Sequence, residues 1–364
     1  MIILWVCYGF LLIKEIKMSI KIGINGFGRI GRIVTRIMSE QPDRFEIRGI
    51  NLRNADIDHM VYMCRYDSIF GRFHGTVEKG SDSTILINGR AVKVFSQSEP
   101  KNIDWASCGA EYIIESTGAF LTTNSLLGHL DSGAKRVLLT CPAKDDMPTF
   151  VMGVNSDKLT SSMRVISGAS CTTNCVAPLA KVINDNFGIN KALMSTIHSA
   201  TAKQKTVDAR SSKDWRAGRS AFDNIIPSST GAAKACALVI PSLKDRITGM
   251  SFRVPTNDVS VVDLTAELVT KANYKEVCEA VKEASVTYMN GIIAYTSDPV
   301  VSADLKGESC TCIFDENAGI MLRDDFVKLI AWYDNEWGYS SKMTELIYLM
   351  AHLAGDADEL KKAV

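Results

Sequence analysis

The stretch I-K-I-G-I-N-G-F-G-R-I-G-R, residues 20–32, decides how the first part of this 364-residue chain is read. Ile20 to Ile24 is a compact apolar run of strand length, and a glycine-rich turn follows it at once. Gly26, Gly28 and Gly31 fall in the spacing G-x-G-x-x-G, and a helical pattern runs on to about Met38. Between a strand and a helix, such glycines let backbone approach a pyrophosphate, which then lies on the helix N-terminus. A tight turn with no ligand is the alternative, and the strand–turn–helix context weighs against it. A second strand, Phe45 to Ile50, completes a βαβ unit.

Working outward, Thr84 to Phe95 reads as a hairpin around Asn88-Gly89. Tyr112–Glu115 and Arg136–Thr140 are short apolar strands, with a helix expected from Thr122 to Gly133 between them. Strands alternating with helices predict a doubly wound parallel sheet, a Rossmann domain over residues 18–168. Glu-Ser-Thr-Gly at 115–118 and Thr140 follow strand ends, where such sheets bind ligands.

A second decisive stretch is S-G-A-S-C-T-T-N-C-V-A-P-L-A-K-V-I-N-D-N-F, residues 167–187. It follows an apolar run, Met163 to Ile166, while Val176, Leu179, Ile183 and Phe187 recur at helical spacing before Gly188. Cys171 therefore stands where a strand turns into a helix, and the positive end of a helix favours a thiolate. Ser170, Thr172 and Thr173 place small hydroxyls beside it. A buried structural cysteine in a polar turn stays open at this point. A strand at 192–199 carries His198 near its end, and a cysteine with a histidine elsewhere in the chain is the pattern of an activated thiol.

Ser-Cys-Thr-Thr-Asn-Cys at 170–175, the His198 segment, S-S-T-G-A-A-K at 228–234, F-R-V-P-T at 252–256 and W-Y-D-N-E-W-G-Y at 332–339 together resemble the phosphorylating glyceraldehyde-3-phosphate dehydrogenase family. The resemblance runs from about Met18 to about Ala354. It implies oxidation of D-glyceraldehyde 3-phosphate to 1,3-bisphosphoglycerate with inorganic phosphate and NAD or NADP, as in glycolysis and gluconeogenesis. Cys171 would be the nucleophile and His198 the base. By position in matching motifs, Thr201 and Arg253 would hold the substrate phosphate, and Ser170, Thr172, Thr230 and Gly231 the attacking phosphate. Gly26, Gly28, Arg29, Ile30, Gly31, Leu52, Arg53, Thr140 and Asn335 would contact the cofactor, with Asn335 on the nicotinamide carboxamide. Erythrose-4-phosphate dehydrogenase, a near relative, is an alternative within the class. A non-catalytic nucleotide- or nucleic-acid-binding protein is the alternative outside it.

After the cysteine helix the pattern changes. Strand-like runs at 192–198, 248–254, 258–268, 309–314 and 326–333 have few helices between them, Asn273–Thr287 being the clearest. This predicts an α+β catalytic domain over 169–338 with a largely antiparallel sheet, followed by an amphipathic helix from Tyr339 to Leu353. In the family that helix (339–354) packs back on the first domain. The long polar segment Thr201 to Asn224 reads as functional or interfacial. In the family it reaches a neighbouring subunit, implying a homotetramer.

Composition is that of an ordinary globular chain, 46% hydrophobic and 23% charged, with a net charge of zero, so nothing pulls it towards nucleic acid or a membrane. Ten cysteines without paired C-x-x-C spacing suit a reducing, cytoplasmic setting and no metal site. Residues Ile2 to Ile13 are apolar but too short to span a bilayer, and their positive charges follow the run. Residues 1–17 are read as a start-codon artefact or a disordered extension.

One departure concerns cofactor choice. The second strand ends I-N-L-R-N, so Leu52 and Arg53 stand where an acid would accept hydrogen bonds from the adenosine ribose; the nearest acid is Asp56. In T-V-D-A-R-S, Ala209 and Arg210 replace a bulky residue and a proline of the family pattern. Both changes remove discrimination against the 2′-phosphate of NADP and add positive charge. Drift in an enzyme that still uses NAD is the other reading.

Overall fold

In this computed structural model, residues 19–212 and 214–358 are described. The reading of residues 1–17 lies outside them. The first half contributes β1 (Ile20–Asn25), α1 (Arg29–Ser39), β2 (Phe45–Asn51), α2 (Ile57–Arg65) and a two-strand hairpin, β3 (Tyr66–Asp67) and β4 (Gly71–Arg72). There follow β5 (Val77–Ser81), β6 (Thr84–Ile87), β7 (Arg90–Phe95), the single turn α3 (Trp105–Cys108), β8 (Tyr112–Glu115), α4 (Thr123–Asp131), β9 (Arg136–Leu139) and β10 (Val165–Ser167). Eight strands form one sheet in the order β10-β9-β8-β1-β2-β7-β6-β5. The six from β10 to β7 run parallel, and β6 and β5 close the edge antiparallel. Asn88 and Gly89 both have positive φ, 49° and 75°, which a two-residue turn joining twisted strands requires.

The chain reverses direction across this sheet at β1, whose neighbours are β2 and β8. Ligands of such sheets sit at that reversal, beyond the strand C-termini. Gly26 follows β1 there with φ +98°, and a Cβ on it would meet the Ser116 and Thr117 backbone at 2.9 Å. A Cβ on Gly31 would fall 2.1 Å from the Gly26 carbonyl. Any other residue would push the turn and the helix apart.

The second half contributes α5 (Cys171–Phe187), β11 (Ile189–Ser199), β12 (Ile226–Ser229), α6 (Ala232–Val239), β13 (Ile247–Val254), β14 (Ser260–Leu268) and α7 (Tyr274–Val286). β15 (Ile293–Thr296), β16 (Cys312–Leu322), β17 (Phe326–Tyr333) and α8 (Trp337–Leu353) complete it. Its seven-stranded sheet has the order β12-β13-β11-β14-β17-β16-β15, with only β11/β13 and β15/β16 parallel. Strict alternation in β14, S-V-V-D-L-T-A-E-L, buries every second residue. The buried face packs against α5, α6 and α7 in one core that includes Val176, Leu179, Ile183, Cys236, Val277 and Leu329.

Helix α8 leaves this second unit and joins the core of the first. Tyr339, Met343, Leu346 and Ile347 pack with Ile22, Ile24, Val34 and Ile166. Where the sequence suggested a strand from Met163, the chain turns (Met163 N–H to the Thr160 carbonyl, 3.1 Å) and β10 begins at Val165. Among the described residues no helix is long and apolar enough to cross a membrane.

Candidate active site

Cys171 opens α5, and Ser170 is its N-cap, its hydroxyl accepting from the Thr173 N–H at 3.1 Å. Three further contacts brace this turn. Ala169 takes φ 58°, a left-handed conformation costly for a side chain other than glycine or asparagine. The Tyr339 hydroxyl donates to the Ala169 carbonyl at 2.9 Å. Asn174 donates its amide to the Gly168 and Ser170 carbonyls at 2.8 and 2.9 Å.

His198 is the penultimate residue of β11, buried, with its Nε2 3.5 Å from the Cys171 sulfur. Its Nδ1 lies 2.8 Å from the Ser199 carbonyl. A carbonyl only accepts, so Nδ1 carries the proton and the Nε2 lone pair faces the thiol. Tyr333 packs edge-on to the imidazole, with ring centroids 5.9 Å apart, and its hydroxyl lies 2.8 Å from both Thr172 and Thr196. Arg253 is the direct partner of His198 in the parallel β11/β13 register, and it donates to the Ser199 carbonyl at 3.3 Å.

The electrostatics correct one expectation. Burial pushes the Cys171 thiol up from its ordinary value, although the Arg253 charge, Thr172 and the local N–H groups pull the other way. Part of the residue remains open to the cleft, so water still reaches it. Burial, then Arg253, lowers His198 to about 3. Each group alone is therefore uncharged near neutrality, a proton-holding thiol facing a free imidazole lone pair. A thiolate arises when the proton crosses to Nε2, which creates two opposite charges in contact. The helix start alone does not ionise Cys171. Burial also raises the other thiols with a resolved shift, to about 11 at Cys64 and Cys141 and about 12 at Cys236 and Cys310, and none of these has a hydrogen-bonded histidine. Among the described residues no cluster of metal-ligating side chains exists.

Thr201 is exposed just beyond β11, with its N–H on Gln204. Thr230 and Gly231 precede α6, the Thr230 hydroxyl accepting from the Ala232 N–H at 3.2 Å. The Thr172 hydroxyl is committed to Tyr333, so this residue offers an anion its backbone N–H. On the first sheet, α1 has no side-chain cap and a Cβ on Gly28 would meet nothing within 4 Å, so the start of the helix is open to a phosphate. Arg29 turns its guanidinium away from that opening to Asp67 and Glu336, and Ile30 is half-buried beside it. Leu52 is half-buried and Arg53 exposed at the end of β2, next to β1, while Asp56 caps α2 by accepting from the His59 N–H. Thr140 donates to the Glu115 carbonyl at 2.9 Å. Asn335 is buried, and its Oδ1 accepts from the Ser199 and Ser260 hydroxyls at 2.8 and 2.7 Å. Ala209 and Arg210 lie exposed in the long loop.

A profile of the glyceraldehyde 3-phosphate dehydrogenase NAD binding domain matches residues 20–123, and one of the C-terminal domain matches residues 170–335. The chain belongs to the glyceraldehyde-3-phosphate dehydrogenase family. It is 54% identical over 338 residues to glyceraldehyde-3-phosphate dehydrogenase 1 of Mucor circinelloides f. lusitanicus, covering 93% of this chain and 99% of the relative. It is 53% identical over 337 residues to glyceraldehyde-3-phosphate dehydrogenase A of Escherichia coli (strain K12), covering 93% of this chain and all of the relative. For Schizosaccharomyces pombe glyceraldehyde-3-phosphate dehydrogenase 2 the identity is 54% over 328 residues, or 90% and 97% of the two chains.

Sequence reasoning missed the residues that brace this cleft. Tyr333, Ser199 and Ser260 orient His198 and Asn335, and Asp67 and Glu336 hold Arg29. Only Tyr333 left a signal, because period-2 alternation in β17 turns it inward. Iodoacetamide is expected to alkylate Cys171 ahead of the other thiols. His198→Asn is expected to slow that alkylation at pH 7 and to move its rise to higher pH. Equal rates in the two proteins would show that His198 does not activate the thiol.

Proposed function

We propose that the chain catalyses phosphorylating oxidation of D-glyceraldehyde 3-phosphate to 1,3-bisphosphoglycerate through an acyl-enzyme on Cys171. The observation that carries the reading is the Nε2 lone pair of His198 held 3.5 Å from the Cys171 sulfur. The Cys171 sulfur attacks the aldehyde carbon while its proton passes by way of His198 Nε2 to the carbonyl oxygen, forming a hemithioacetal and leaving Nε2 free again. His198 Nε2 then accepts the hemithioacetal hydroxyl proton as the carbonyl re-forms, giving a thioester. NAD(P), when bound, takes up the hydride lost from that carbon. Inorganic phosphate attacks the thioester, the acyl–sulfur bond breaks, and Cys171 is released. In this reading Thr201 and Arg253 hold the substrate phosphate, Arg253 through its planar fork. Ser170, Thr172, Thr230 and Gly231 receive the attacking phosphate, Thr172 through its N–H.

Residues 18–168, with α8, act as the dinucleotide-binding domain and 169–338 as the catalytic domain. Gly26, Gly28, Arg29, Ile30 and Gly31 receive the pyrophosphate at the start of α1, Arg29 through its backbone. Leu52 and Arg53 meet the adenosine ribose, Thr140 the cleft wall, and Asn335 the carboxamide. With no carboxylate at Leu52 and a cation at Arg53, the site accepts NADP as well as NAD; Ala209 and Arg210 act the same way from a neighbouring subunit. The protein works as a cytoplasmic homotetramer.

Assays with both aldehyde phosphates test the substrate. Turnover on glyceraldehyde 3-phosphate is expected to exceed that on erythrose 4-phosphate, and Cys171→Ser is expected to lose essentially all turnover while still binding cofactor; substantial activity in that variant would refute the acyl-enzyme. The cofactor reading turns on kcat/KM with NAD and with NADP. The wild type is expected to use both, and Leu52→Asp to shift the ratio towards NAD; a strong wild-type preference for NAD that Leu52→Asp leaves unchanged would overturn it. Light scattering at micromolar concentration is expected to give four times the chain mass, and a monomer there would exclude the tetramer.

A further inference from the structure

Asp258 is 1% exposed, and both its carboxylate oxygens are sealed from solvent without a hydrogen-bond partner of good geometry. Nothing in the chemistry above uses it. Its neighbour Asp334 is equally buried but well supplied. Asp334 accepts from the N–H groups of Glu336 and Trp337, at 2.9 and 2.6 Å, at the start of α8, and from Gly307 N–H at 2.8 Å. The antiparallel register pairs Ser260 with Tyr333, which brings residues just before β14 beside residues just after β17. Two carboxyl groups side by side in a dry place cannot both carry charge at little cost.

The groups facing Asp258 are mostly acidic. Asp334 and Glu336 face it from the start of α8, and Glu336 is itself ion-paired with Arg29. From its own segment the Val259 N–H favours its charge, and Lys306 lines the same cleft wall. Burial, then Asp334, then Glu336 push Asp258 up to about 8, and burial also raises Asp334. Asp334, with three N–H donors, is the better place for the negative charge, so Asp258 is the group that keeps the proton. The same short segment then turns through Val259, at φ 59°, to Ser260, whose hydroxyl donates to Asn335 at 2.7 Å.

We propose that Asp258 and Asp334 share one proton and form a latch between β14 and the start of α8 that keeps Asn335 seated, with Asp258 as a positioning residue. Loss of the proton sets two carboxylates against each other and lifts segment 258–260 from Asn335. The effect on cofactor rests on the reading that Asn335 binds the carboxamide; the latch itself does not.

The native state holds a proton that the unfolded chain releases near 3.8, so stability is full at acid pH and declines as pH rises towards about 8. Thermal unfolding without nucleotide, from pH 5 to 9, should show this decline in the wild type. It should be flatter in Asp258→Asn, whose amide donates to Asp334 without a titrating proton. Binding of NAD, followed by calorimetry over the same range, should weaken about fivefold or more in the wild type, the low end of inter-site couplings, and stay level in the variant. Infrared titration of the wild type alone should show a protonated carboxyl band disappearing near pH 8, which keeps the test alive if the variant does not fold. Parallel unfolding curves in the two proteins, or no such band, would overturn the latch. Affinity for NAD that is independent of pH would overturn its coupling to Asn335. No binding of NAD at any pH, with the unfolding difference intact, would uphold the latch and refute the cofactor reading instead.

Discussion

The 2.8 Å hydrogen bond from Nδ1 of His198 to the carbonyl of its own neighbour Ser199 is a local, sequence-adjacent contact, yet the chemistry of the cleft depends on it. It assigns the ring tautomer, and so leaves a lone pair instead of a proton pointing at Cys171. Arg253 is tied to the same carbonyl, so one backbone oxygen sets the position of both the imidazole and the guanidinium beside it. That cation works in two directions, favouring a charged sulfur and opposing a charged imidazole. The site is thus poised between a neutral pair and an ion pair, and an anion drawn to Arg253 would ease formation of the imidazolium.

Rigidity on the cysteine side comes from a different source. The turn into α5 holds a non-glycine residue, Ala169, in the left-handed region. Such a conformation persists only where the surroundings over-determine it. Tyr339 from α8 supplies that restraint by binding the Ala169 carbonyl, and Asn174 from within α5 by binding the carbonyls on either side. Tyr333 supplies the link between the two halves of the pair, since its hydroxyl meets Thr172 on the helix and Thr196 on the strand.

How much of this could be read from the sequence divides along a physical line. Features written in local pattern were legible. The glycine spacing, the Asn88-Gly89 turn, the alternation of β14 and the cap at Ser170 all rest on interactions within a few residues. The strand at Phe326–Tyr333 appears with the bounds its alternation suggested. Short elements without a strong period, such as β12, β15 and α6, were not read, and the strand taken as 309–314 begins later and runs on through a bulge to Leu322. Long-range electrostatics were not legible at all. The partners of Arg29 lie 38 and 307 residues away in sequence, and its guanidinium could not be placed from its motif. The protonation of Cys171 divides along the same line. A helix start is local, but the desolvation that outweighs it comes from packing.

The seating of α8 in the core of the first unit has a consequence for the order in which the molecule can be made. The last strand of the first sheet is complete at Ser167, but the helix that covers Ile22, Ile24 and Val34 begins only at Trp337. At about 5–20 residues per second of synthesis, that interval is on the order of ten seconds or more. Throughout it the nascent first unit presents an unfilled apolar groove where Met343, Leu346 and Ile347 will dock. The ion pair of Arg29 with Glu336, between one end of the chain and the other, cannot form until the second unit has emerged. The nucleotide-binding half is thus the first to be synthesised and among the last to be finished, and a ribosome stalled in between carries a chain that holds its own aggregation surface open.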